Sequence, residues 1–127
     1  MRTVTSSDKQ DLRTRTTAYA LRIIRLYGSP PKTTEAQVIG RQLLRSGTSV
    51  GAHYREATRA RSRAEFVSKI EGALQELDES SYWLELLGLS GIVSKQLLAD
   101  LYTEIDELIA IFTTPAMTAK RQMNVER

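Results

Sequence analysis

The chain has 127 residues, 41% of them apolar and 26% charged, which fits one soluble globular domain. Its lack of cysteine excludes disulfides, thiolate metal sites and cysteine nucleophiles together. Behind the net charge of +3 lies an asymmetry: residues 1–63 carry 13 Lys/Arg against 4 Asp/Glu, a net of +9, and residues 64–127 carry 5 against 11, a net of −6. Such a split serves partner recognition, or it neutralises itself within a bundle or an oligomer. No apolar run approaches the ~18 residues of a membrane span, and MRTVTSSDKQ lacks the apolar stretch of a signal peptide, so the expected compartment is the cytoplasm.

From Asp8 the apolar positions Leu12, Tyr19, Ile23, Leu26 and Tyr27 recur at helical spacing, with Ser7 or Asp8 available as a cap. Gly28-Ser29-Pro30-Pro31 stops this first helix. Thr34 with Gln37 has capping-box spacing for a second. Its stripe runs through Ala36, Ile39 or Gly40, Leu43, Gly47, Val50, Tyr54 and Ala57. Each helical glycine costs roughly 0.8–1 kcal/mol against alanine, so packing must compensate. Gly47 and Gly51 lie one turn apart and would admit a neighbouring backbone; a kink at Gly47-Thr48-Ser49 is the competing reading.

The basic turn RARSRAEF follows, where Ser62 and Glu65 match S-x-x-E. Phe66, Ile70, Ala73, Leu77, Leu84 and Leu87 then mark a third helix, with Gly88 and Gly91 at its end. Ser94 can cap a fourth, whose seam Leu98, Leu101, Ile105, Leu108 and Phe112 alternates steps of three and four. Pro115 predicts an end or kink there, leaving MTAKRQMNVER as a basic tail. The expectation is a single all-α domain over 1–127, an antiparallel up-down-up-down four-helix bundle with 1–7 and about 116–127 as tails. Tyr82, Trp83 and Leu86 lie off the main stripes, with Leu89, Ile109 and Ile111, and predict an oligomer interface.

The segment LRSGTSVGAHYREATRARSRAEFVSKIEGALQELDESSYWLELL resembles the bacterial four-helix-bundle proteins named after 23S rRNA intervening sequences. The resemblance begins at LRTRTTAYALRIIRLY and continues past EIDELIAIF. It implies a small non-enzymatic bundle that assembles as a ring-like homo-oligomer, typically a pentamer. Some members are encoded inside rRNA intervening sequences, which motivates RNA as a partner. A more distant relative, the accessory protein of diversity-generating retroelements, binds a reverse transcriptase and nucleic acid. His53 stands where many members have asparagine, and Pro115 where relatives often continue their last helix.

The residues offer little chemistry. His53 is the sole histidine, near only Glu56, and reads as a packed helix residue rather than an acid–base or metal group. There is no Glu-x-x-His pair, phosphate loop or nucleophile elbow, so neither enzyme activity nor a cofactor is expected. The nucleic-acid candidates are Arg41, Arg45, Arg55, Arg59, Arg61 and Arg63, whose forked donors match phosphate oxygens, with Tyr54 offered for stacking. The alternative pairs these arginines with Glu56, Glu65 or a neighbouring subunit, which fits Arg55 best. A protein-interaction adaptor without nucleic acid is the rival function.

Overall fold

The computed structural model describes the backbone of residues 6–125 and the side chains of 12–125. Helix α1 spans Ser6–Tyr27, α2 Thr34–Thr58, α3 Arg63–Leu89 and α4 Lys95–Val125, and the described residues contain no strand. The proposed caps Ser7 and Asp8 lie outside the described side chains.

The direction of each helix follows from who meets whom. Gly40, Gly47 and Gly51 of α2 face Tyr27, Ile23 and Thr16 of α1, so numbers fall on one helix as they rise on the other. Arg45, Ser46, His53 and Glu56 likewise meet Glu76, Ser80, Gly72 and Lys69 of α3. Gly88 abuts Leu98, and Glu71 binds Lys120, which turns α4 back along α3. Arg15 closes the circuit from α1 to Glu104 and Glu107 of α4. The molecule is therefore an up-down-up-down bundle.

The core follows the seams the periodicity predicts, although Tyr27 is exposed and Phe66 only half-buried. Tyr19, Ile23, Leu43, Val50, Ile70, Leu77, Leu84, Leu98, Ile105, Leu108 and Phe112 are all buried. Three buried polar residues interrupt them: Thr16, Ser46 and Ser80. Each stays hydrogen-bonded, as burial demands. Thr16 donates to the Leu12 carbonyl at 2.8 Å, and Ser80 to that of Glu76 at 2.8 Å, its oxygen lying 2.9 Å from the Ser46 hydroxyl. Burial pushes the Tyr19 phenol up to about 12; the nearby Ser80 hydroxyl pulls it the other way without reaching hydrogen-bond geometry.

Several local features depart from expectation. Thr33, not Thr34, caps α2: its extended backbone (φ −84°, ψ 160°) lets its hydroxyl accept from Ala36 N at 3.3 Å, so Gln37 falls one residue beyond a capping box. Ser62 caps α3 as predicted, accepting from Glu65 N at 3.0 Å. Gly88 lies inside α3 rather than ending it, and Gly91, at φ 75°, makes the left-handed exit. α2 runs unbroken through Gly47-Thr48-Ser49. Nor does α4 stop at Pro115. It continues to Val125 because Phe112, Ala116 and Ala119 are buried and Lys120 binds Glu71 at 3.1 Å, which offsets the roughly 3 kcal/mol cost of an interior proline.

Gly47 and Gly51 both lie against α1, where each faces a side chain, Ile23 and Thr16. A Cβ at Gly47 would stand 2.8 Å from Ile23 Cγ1 and 3.2 Å from its Cβ; at Gly51 it would stand 3.2 Å from Thr16 Oγ1. The root of a buried β-branched side chain cannot swing aside. Gly47→Ala should therefore lower stability by roughly 1 kcal/mol, overpacking outweighing the gain in helix propensity. In an Ile23→Ala background the same change should turn stabilising. Urea denaturation of the four variants checks this reversal of sign.

Candidate nucleic-acid interface

The arginines of α2 divide by what they meet. Arg45 is clamped by α3: one guanidinium nitrogen lies 3.1 Å from Glu76 and another binds Glu79. Glu79 also accepts from the Trp83 indole at 3.2 Å. The Arg45 hydrogen bond holds the Glu79 carboxyl below its ordinary value, and the same bond raises Arg45. Arg55 donates to the Thr17 hydroxyl of α1 at 3.2 Å. Both are exposed, yet each has a role inside the bundle.

Arg41, Arg59 and Arg61 differ. All three are exposed, and no ion pair among the described residues engages them. Of the acids expected to pair with this group, Glu56 has another task. Glu56 binds Lys69 at 2.7 Å, which lowers the carboxyl and raises the amine, and the backbone of Glu65 is held by the Ser62 cap. Arg59 is the C-cap of α2, donating its backbone N–H to the Glu56 carbonyl at 3.1 Å, and Arg63 opens α3. The antiparallel topology brings Arg13 of α1 and Lys120 and Arg121 of α4 to this same end of the bundle, where all three are exposed. Sequence reasoning missed them because they lie far from the turn along the chain; pairing α1 and α4 with their neighbours would have found them.

Two candidates behave differently from expectation. Tyr54 is only 4% exposed and packs against Phe112, ring centroids 5.7 Å apart, so it offers no stacking face. His53 lies over Gly72 of α3, where a Cβ would stand 2.8 Å from its Nδ1. That nitrogen is buried without a hydrogen-bond partner among the described residues, and the ring fills a place that only glycine leaves open. No group of three or more metal-ligating side chains occurs among the described residues. No described helix is long and apolar enough to cross a membrane.

The off-stripe aromatic set is also in place. Tyr82 is 52% exposed and stands 5.0 Å from the half-buried Trp83 ring. Leu86 is half-buried beside them in sequence, and Leu89 is 67% exposed. Tyr82, Leu86 and Leu89 fall on one face of α3 at steps of four and three.

Residues 8–114 match the family model described as 23S rRNA-intervening sequence protein. A crystal structure of a protein with unknown function from the S23 ribosomal protein family of Bacteroides thetaiotaomicron VPI-5482 is similar, with a TM-score of 0.80 and 32% identity. The match covers 86% of this chain and 97% of that one. No curated protein matches the chain.

The Arg45–Glu79–Trp83 cluster has a pH signature. A carboxylate whose folded pKa is depressed contributes stability above its ordinary value, here 4.5, and loses it as pH falls through the lower folded value. Trp83 is the sole tryptophan, so its fluorescence reports the event directly. A step with a midpoint below pH 4.5 is expected on acid titration, and Glu79→Gln should abolish it.

Proposed function

The chain belongs to the 23S rRNA-intervening sequence protein family, and from that premise we propose that it is a non-enzymatic, cytoplasmic, homo-oligomeric bundle that binds nucleic acid, RNA foremost, through Arg59, Arg61 and Arg63. The observation that carries this reading is the absence of an ion-pair partner for Arg59 and Arg61 among the described residues, while Glu56, the nearest acid before them, binds Lys69. Guanidinium groups held at a bundle end, with Arg13, Lys120 and Arg121 around them, suit a run of phosphates. Arg41 extends the basic surface along α2. Arg45, tied to Glu76 and Glu79, contributes to the bundle instead. In a ring, a pentamer by family resemblance, the patch repeats with each subunit and binding gains avidity.

A second reading rests on its own observation. The exposed face of Tyr82, Leu86 and Leu89 is apolar surface that a neighbouring subunit or a protein partner would cover. As an adaptor, the protein would use that face and the charge asymmetry for assembly, with no nucleic acid involved.

Light scattering of nuclease-treated protein with a short single-stranded RNA separates the two. Three phosphate contacts per subunit predict a log–log salt slope of about −2, or roughly a 15-fold loss of affinity per subunit engaged between 50 and 200 mM salt. The triple variant Arg59→Ala/Arg61→Ala/Arg63→Ala should remove most of the binding and flatten the slope, without changing oligomer mass. A stable oligomer indifferent to RNA at both salts would sink the nucleic-acid reading in favour of the adaptor. Loss of oligomer in Tyr82→Ser/Leu89→Ser would assign the α3 face to assembly.

A further inference from the structure

At the same end of the bundle the described residues leave a partly open apolar cleft. A cavity of about 210 Å³ lies among Leu12, Tyr54, Phe66, Ile70 and Phe112, one residue set from each helix. Ala57, Ala60 and Pro115 line it with short side chains, where larger ones would fill the space.

The lining says what would fit. It is mostly hydrocarbon, and its Thr58 hydroxyl already donates to the Arg55 carbonyl at 2.7 Å. A nucleobase would carry its ring nitrogens and exocyclic groups into a space with few partners for them, an uncompensated burial. An apolar body loses nothing there. Size narrows the choice further: an apolar cavity of about 150 Å³ takes benzene, whereas drug-sized ligands occupy about 300–1,000 Å³. The occupant is thus one ring, or a branched chain of similar bulk, with a short substituent. Charge decides the substituent. Ala60 is flanked in the chain by the exposed Arg59 and Arg61, and Glu56, the nearest acid before them, is neutralised by Lys69.

We infer that this cavity is a binding site for a small aromatic or branched aliphatic carboxylate, its apolar body among Leu12, Phe66, Ile70 and Phe112 and its carboxylate toward Arg59 and Arg61. The site shares Arg59 and Arg61 with the proposed RNA surface but also requires the cavity, so the cavity-filling variants test it separately.

Phenylacetate is the probe, with 2-phenylethanol as its uncharged counterpart, both titrated into the full-length protein and followed by NMR and by thermal melting. Phenylacetate should bind at least 5-fold more tightly than the alcohol and raise the melting temperature. Ala57→Leu fills the cavity and should weaken phenylacetate at least 10-fold; Ala60→Leu, at a half-buried position in the turn, serves the same purpose if the first variant folds poorly. Arg59→Ala/Arg61→Ala should reduce phenylacetate to the affinity of the alcohol while leaving the alcohol unchanged. No binding by the wild-type protein, or undiminished binding in folded cavity-filling variants, overturns the site. Equal affinity for acid and alcohol overturns its anionic character.

Discussion

The close approach of α1 and α2 is the contact on which the rest of this bundle depends. Gly47 and Gly51 put no side chain of α2 at the contact, so those of Ile23 and Thr16 rest almost on the α2 backbone. Dispersion contacts fade steeply with separation, and a gap of an ångström forfeits much of their attraction. The intimacy compensates for the helix propensity that three glycines sacrifice in α2. It also fixes the height of α2 against α1, and with it the place where the basic turn emerges. Arg59 and Arg61 stand at the bundle end because Ile23 is seated at Gly47.

Charge is distributed by the same geometry. The basic first half and acidic second half are partly reconciled inside the fold, through Arg45 with Glu76 and Glu79, Lys69 with Glu56, Arg15 with Glu104 and Glu107, and Lys120 with Glu71. These pairs sit on helix flanks at or near the solvent, where each is worth little individually. They are also selective. None of them engages Arg59 or Arg61, which stay exposed at one end without an ion pair among the described residues. An overall charge of +3 thus becomes a local field with a direction.

Most of the fold was legible in the sequence because apolar side chains recur at the helical period and the turns carry strong punctuation. The seams from Leu12 to Ile23, Leu43 to Ala57, Ile70 to Leu87 and Leu98 to Phe112 are the observed core. What escaped was tertiary. Thr16, Ser46 and Ser80 are polar yet buried, and only their distant neighbours make that tolerable. Gly72 carries no local signal, and only the His53 ring lying over it explains the glycine. Pro115 obeys its local rule only where nothing opposes it, and here Ala116 and Ala119 are anchored beyond it. The candidate arginines could be named in advance, but which of them the acids of α3 would claim could not: Arg45 and Arg59 look alike until α3 is laid alongside.

The Ser46–Ser80 pair has a consequence for the uniqueness of the fold. A seam built of leucine, isoleucine and valine is nearly as content after one helix slides a full turn along another, because one aliphatic chain replaces the next. Two hydroxyls are less forgiving. Moved a turn apart, they would lose the bond between them, worth about 0.5–1.5 kcal/mol, and keep only those to the Leu43 and Glu76 carbonyls of their own helices. The pair works as a vernier between α2 and α3, distinguishing one alignment from its neighbours among otherwise interchangeable apolar contacts. By holding that alignment, two small polar residues in the middle of the core set where the basic turn sits, some four helical turns away.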